Sequence, residues 1–196
     1  STDDLLAADV SAIIGAASSG VSFTVLDKIV DEGTIMFSPA NTSPDFTTYD
    51  DDGLYFRTAP SDVIQGAVLG DTVIADGHLD VVIMNLDDAY GNGLNEYTTE
   101  SIEAGGGTII ESIVYDPKAA SFSSEVSQVA AAQPDALVLI GFEESTTILT
   151  ELANQNIGPQ QLPVYFVDGN VSNYGDQFPP NFLEGNKGTQ PGAEIG

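Results

Sequence analysis

The chain predicts a doubly wound α/β fold built on parallel sheet, and three observations carry that prediction. Short apolar runs alternate with helical stretches along most of the length. The runs are apolar throughout rather than at every second residue, as strands covered on both faces require. Five of them end abruptly in a turn of small, hydroxyl-bearing, aromatic or acidic residues, the place where an open α/β sheet holds its ligands.

The elements follow in order. Asp3 to Asp9 reads as the end of a helix, Val10 to Gly15 as a strand, and Val21 to Asp31 as a helix whose apolar residues include Phe23, Leu26, Ile29 and Val30. Thr34 to Ser38 is a short strand that ends in Pro39-Ala-Asn-Thr-Ser-Pro44, a turn bracketed by prolines that continue neither strand nor helix. Gly53 to Thr58 is another strand, and Pro60-Ser61-Asp62 caps a helix running towards Ile74. Beyond it, strands are expected at Asp80–Asn85, Gly107–Glu111, Ala136–Ile140 and Pro163–Val167, with helices near Gly91–Ala104, Ser121–Ala132 and Ser145–Gln155 between them.

Composition narrows the function. With 196 residues, 42% of them apolar, the chain can bury the core of one large or two small domains. No run approaches the roughly 18 apolar residues of a membrane span and no charged-then-apolar leader opens the chain, so a soluble, mature or trimmed piece is expected. Cysteine is absent, which removes disulfides, thiolate chemistry and Cys-based metal sites. Thirty acidic residues face four basic ones, Lys28, Arg57, Lys118 and Lys187, for a formal charge of −26. Nucleic acid and anionic membrane surfaces need a density of Lys and Arg that this chain does not have. So much like charge fits a solvated face tolerant of high salt. The acidic run Asp50-Asp51-Asp52-Gly53 lacks the alternating ligand spacing of a calcium loop, so neither metal nor cofactor is expected.

Catalysis finds little support. Ala16-Ala-Ser18-Ser-Gly20 echoes a nucleophile elbow but lacks its first glycine, and the only histidine, His78, reads as a surface residue. Gly91-Asn-Gly93 and Gly105-Gly-Gly107 are not a dinucleotide fingerprint opening a helix after the first strand.

Binding is better supported. In Ser11-Ala-Ile-Ile-Gly15-Ala-Ala-Ser18-Ser19-Gly20 a strand feeds a helix start, where free backbone N–H groups and the two hydroxyls favour an anionic group. The strand-end residues together are Ala17, Ser18 and Ser19; Ala40, Asn41 and Thr42; Tyr90; Phe142; and Asp168. They make a cage for a small zwitterion: hydroxyls and backbone N–H for its carboxylate, Asp168 for its ammonium, Tyr90 and Phe142 against its side chain. Each has a plainer reading as a helix cap, a turn residue or core. Singly, none of them decides between the two readings.

The strings Ala12-Ile-Ile-Gly15-Ala-Ala-Ser-Ser-Gly20, Phe37-Ser-Pro-Ala-Asn-Thr-Ser-Pro44, Phe56-Arg-Thr-Ala-Pro-Ser-Asp62 with Gln65-Gly66, Asp87-Asp-Ala-Tyr-Gly-Asn-Gly-Leu94 and Val167-Asp-Gly169 resemble, in order and spacing, the branched-chain amino-acid-binding proteins. These are the type I periplasmic, or extracellular, solute-binding components of ABC importers. The resemblance implies a two-lobed protein that performs no chemistry, closes on an amino acid and delivers it to a membrane permease. Its place would be extracytoplasmic, periplasmic or anchored at the surface of a Gram-positive cell. By position, the resemblance gives Ser19 and Thr42 the ligand carboxylate and ammonium, Ala17 a lining role and Ala40 a backbone carbonyl. Tyr90, Phe142 and Asp168 would close from the other lobe. Phe142 stands where the family often has tyrosine and Ala17 where a larger side chain is common, so the ligand's side chain, expected to be aliphatic, stays open. A sensory module of the same fold, reporting ligand to a signalling partner, is the alternative. Repressors share the architecture but carry a basic DNA-binding segment, which this chain lacks.

Set against that family, residues 1–60 are expected to form part of the N-terminal lobe, 61–188 the whole C-terminal lobe, and 189–196 the start of a return crossing or a tail. A fragment of this kind would leave sheet edges uncovered, so pairing with a second copy of the chain is expected.

Overall fold

Eight strands form two separate parallel sheets in the computed structural model, which describes all residues except 172–173, 175–176 and 193–196. The fold is the α/β parallel-sheet class that the sequence predicts. The expected tail at 189–196 lies outside the described residues from 193 on.

The first sheet has the order β1 (Ala12–Ile14), β2 (Ile35–Ser38), β3 (Tyr55–Arg57), with Ile13 beside Met36 and Met36 beside Tyr55. Helices α1 (Thr2–Ala7), α2 (Ser19–Phe23) and α3 (Leu26–Asp31) accompany it, with a 3₁₀ turn at Pro44–Thr47. Its core is Ile13, Leu26, Ile29, Met36, Phe46 and Tyr55. Phe46 lies at its centre, stacked between Phe23 at 3.9 Å and Tyr55 at 4.5 Å. The helix expected over 21–31 is split in two. Thr24 ends α2 and donates its hydroxyl to the Val21 carbonyl, and the β-branched pair Thr24-Val25 sits at the break. Covering on both faces fails in this sheet: β1 alternates exposed and buried, Ile14 is 71% exposed and Phe56 48%.

The second sheet has the order β5-β4-β6-β7-β8, where β4 is Asp80–Leu86, β5 Thr108–Tyr115, β6 Ala136–Ile140, β7 Val164–Phe166 and β8 Lys187–Gly188. Here the covering expectation holds for the central strands, since every residue of β6 and β7 and all of β4 but Asp80 is buried. Helices α4 (Asp62–Ala75), α5 (Ala89–Ala104), α6 (Ser123–Ala132) and α7 (Ser145–Asn154) connect and cover these strands. Helices α4 and α5 pack backbone to backbone at Gly66, where a Cβ would lie 2.8 Å from that of Tyr97. Strand β5 runs four residues past its expected end at Glu111. As the sheet edge it tolerates Glu111 and Ser112 facing water, which hides its continuation in the sequence. Strand β8 has two exposed residues and no apolar run to announce it; Lys187 is fixed by an ion pair to Asp76 at 2.6 Å.

The chain passes from one sheet to the other at the start of α4. Ser61 caps that helix, its hydroxyl accepting from the Val63 N–H, and the Asp62 N–H donates to the Thr42 carbonyl at 2.9 Å. This stitch holds the loop after β2 against the first turn of α4. It brings the carboxyl ends of both sheets to one cavity.

Candidate functional site

The cavity holds about 590 Å³ and is walled by turns from five strands. From the first sheet come Ala17, Ser18 and Ser19 after β1 and Ala40 and Thr42 after β2; from the second come Tyr90 after β4, Phe142 after β6 and Asp168 after β7. The turn residues converge because parallel strands end at the same sheet edge.

The hydroxyl side is tightly organised. Ser19 is buried and its Oγ accepts from the backbone N–H groups of Thr42 at 3.3 Å and Ser43 at 3.2 Å, which ties the two turns together. With both acceptor positions used, the Ser19 hydroxyl proton is free to donate to something else. Ser18 performs its plainer role as well, accepting from the Val21 N–H as the cap of α2. That helix is five residues long, so the hydroxyls, rather than a helix dipole, are the donors available here.

Asn41 does not face the cavity. It is fully buried, donates from Nδ2 to the carbonyls of Ala16 and Ala17 at 3.1 and 2.9 Å, and accepts from the Tyr55 hydroxyl at 2.9 Å. Its amide is used up in bracing the turn after β1 from below. Ser38 shares that work, donating to the Ala16 carbonyl at 2.6 Å.

The opposite wall carries the charge. Asp168 Oδ1 accepts from the Tyr90 hydroxyl at 2.7 Å and from Gln65 Nε2 at 3.0 Å, so its orientation is fixed through one oxygen. Tyr90 also accepts from the Gly169 N–H at 3.2 Å, and burial together with the Asp168 charge pushes its phenol well above the usual range. Tyr90 therefore stays neutral and acts as a donor to the carboxylate. Its ring stacks on Phe142 with centroids 5.2 Å apart. Gly169 has to be small, since a Cβ there would lie 2.5 Å from the Gly141 carbonyl oxygen.

Sequence reasoning missed Glu143, Glu144 and Gly169, which also line the cavity. Their signal was adjacency, since they directly follow Phe142 and Asp168 in the same strand-end turns. Glu144 Oε1 accepts from the Phe142 N–H at 2.9 Å and the Tyr115 hydroxyl at 2.8 Å, and so sets the Phe142 turn. Gln65, to which the sequence assigns no role of its own, orients Asp168 and also donates to Thr189. The run Asp50–Gly53 forms a turn in which Asp51 accepts from the Gly53 N–H at 2.8 Å. Among the described residues no group of His, Cys, Asp and Glu is arranged to hold a metal, and no helix is long and apolar enough to cross a membrane.

The profile of the family described as periplasmic binding protein matches residues 2–181. The chain is similar to Leu/Ile/Val-binding protein homolog 2 of Brucella abortus, with 30% identity over 168 residues covering 82% of this chain and 43% of that protein. It is also similar to the chemotactic signal transduction system substrate-binding protein BasB of Halobacterium salinarum, with 29% identity over 162 residues covering 78% and 38%. The fold matches a periplasmic binding protein type 1 from Bordetella pertussis with a TM-score of 0.81, over 92% of this chain and 50% of that one, at 22% identity. The chain spans 37–43% of the length of the curated relatives it matches.

Proposed function

The chain belongs to the periplasmic binding protein family, whose members bind solutes and are not enzymes, and we propose that it holds the ligand site of an ABC importer's solute receptor. The ligand is an amino acid, gripped between a lobe containing residues 1–60 and a lobe formed by 61–188. One observation carries this reading: hydroxyls on one wall of the cavity face a carboxylate on the other, which is the donor set of a zwitterion. Ser19 and Thr42 take the carboxylate and ammonium from the first lobe, with the Ala40 carbonyl beside them. Asp168, oriented through one oxygen, pairs with the ammonium. Tyr90 and Phe142 present a stacked apolar surface that suits an aliphatic side chain.

The relative from Brucella abortus, by its name a Leu/Ile/Val-binding homologue, supports this ligand class. The receptor would work outside the cytoplasm, in the periplasm or anchored to a cell surface, and pass its ligand to a membrane permease. Exposed Ile14 and Phe56 favour pairing with a second copy of the chain, which a strictly monomeric elution at high concentration would contradict. The test of function is a thermal-shift panel of L-amino acids, because a ligand that binds only the folded state raises the unfolding midpoint. A rise with one aliphatic amino acid is expected; a flat panel removes the amino-acid reading.

A sensory role is the second reading, favoured by the similarity to BasB. Uptake of the ligand in vesicles carrying receptor and permease separates the two. Import requires it, and a sensory module would instead copurify with a signalling protein.

A further inference from the structure

Behind the cavity wall lies a carboxyl group that the site described above does not use. Asp62 opens α4 and is fully buried, and neither of its carboxylate oxygens has a hydrogen-bond partner among the described residues. A buried carboxyl left unpartnered is costly, and its retention in a packed domain calls for an explanation.

The surroundings of Asp62 place it at the ammonium end of the proposed site. Its backbone N–H donates to the Thr42 carbonyl at 2.9 Å, and the Thr42 hydroxyl lies beside its carboxyl, outside hydrogen-bonding geometry. One turn along α4, Gln65 holds Asp168 through Nε2 at 3.0 Å while its own Oε1 is buried without a partner among the described residues. The other groups facing Asp62 are Asp168 after β7, Asp88 and Tyr90 at the start of α5, and Arg57 at the end of β3. Arg57 spends its guanidinium on the Ser43 carbonyl at 2.7 Å and the Thr47 hydroxyl at 2.9 Å, so it forms no ion pair with Asp62. Burial pushes the Asp62 carboxyl up to about 7, the Thr42 hydroxyl partly offsets this, and the negative charge of Asp168 adds to the rise.

We propose that Asp62 is a positioning residue of the ligand site, backing Thr42 and carrying a proton that it releases when an ammonium group settles between Thr42 and Asp168. The inference rests on the amino-acid reading given above. In the step, the carboxyl O–H bond breaks, the electron pair remains on Asp62, and the proton passes to solvent buffer. The incoming positive charge favours the ionised carboxyl, which in turn strengthens the field that holds the ammonium. Thermodynamic reciprocity then requires affinity to rise with pH up to neutrality and to level off above it. The expected gain between pH 5.5 and pH 8 is about tenfold, the scale of a carboxyl pKa moved by one to two units.

The test follows the Asp62 side-chain carboxyl by ¹³C NMR through a pH titration of the wild-type chain. It is run alone, with L-leucine, and with 4-methylpentanoate, which has the same carbon skeleton and no ammonium. Titration near neutrality in the free chain, moved downwards by L-leucine and not by 4-methylpentanoate, is the expected result. Asp62→Asn should abolish the pH dependence of L-leucine affinity, whereas a purely structural role would weaken binding equally at every pH. Titration of Asp62 in the ordinary carboxylate range overturns the inference, and so does an equal shift with 4-methylpentanoate. L-leucine that moves the Ser19 and Thr42 amides but leaves Asp62 unchanged defeats this inference alone. L-leucine that moves nothing defeats the amino-acid reading and this inference with it.

Discussion

Replacing Asn41 with alanine should unfold the turn that presents Ala17 and Ser18 to the cavity, at a cost that can be worked from three hydrogen bonds. The Asn41 side chain donates to the carbonyls of Ala16 and Ala17 and accepts from Tyr55, all from a fully buried position. Each bond contributes about 1 kcal/mol net; the Ala16 carbonyl keeps the Ser38 hydroxyl, but the Ala17 carbonyl and the Tyr55 phenol lose their partner, so the expected cost is about 3–4 kcal/mol. For a chain of this size that corresponds to a fall in midpoint of about 8–15 °C in a thermal unfolding experiment. Tyr55→Phe is the control: it removes one of the three bonds and should cost about 1–2 kcal/mol, with a double-mutant cycle exposing the shared bond. If Asn41→Ala cost no more than Tyr55→Phe, the amide would not be holding the turn, and its assignment as a brace would be wrong.

Three further outcomes are expected. Asp168→Ala should weaken amino-acid binding by about 2–5 kcal/mol in a titration calorimeter, the scale of losing one partner of a desolvated pair; unchanged affinity would take Asp168 out of the site. Asp62 makes stability depend on pH with a definite sign: its carboxyl is raised in the fold from 3.8 to about 7, so the stability it contributes is full below about pH 4 and lost as pH rises through 7. Relative to wild type, Asp62→Asn should therefore gain about 4 kcal/mol between pH 4 and pH 8 in denaturant titrations, and a constant difference would refute the raised carboxyl. Screening should stabilise a chain of charge −26, so its unfolding midpoint should climb from low to molar salt; a flat midpoint would show that self-repulsion is not a significant cost.

How much of this was legible in the sequence depended on burial. The central strand β6 is a continuous apolar run and β4 is one from Val81 to Met84, and the sequence places both ends of β6 as observed because every residue in it is buried. The edge strand β5 was cut short at Glu111 because one side of it meets water, and β8 was invisible because two exposed residues carry no pattern. At the site, the strand-end rule brought Ser19, Thr42, Tyr90, Phe142 and Asp168 to one cavity before any contact was known. It misplaced Asn41, whose position in the same turn says nothing about which way its side chain faces. It also passed over Asp62, which reads as an ordinary residue after a helix cap. Only the stitch between α4 and the loop after β2 sets that carboxyl behind Thr42.

In the proposed site, turns from two sheets hold one zwitterion between them. The most direct test is a titration of the ¹⁵N-labelled chain with L-leucine, its amide and 4-methylpentanoate into the millimolar range, read by amide chemical shifts. L-leucine is expected to move the amides of Ser19, Thr42 and Gly169 together, while the two analogues, each missing one charge, move them far less. Equal shifts from all three, or L-leucine shifts confined to one wall of the cavity, would contradict it.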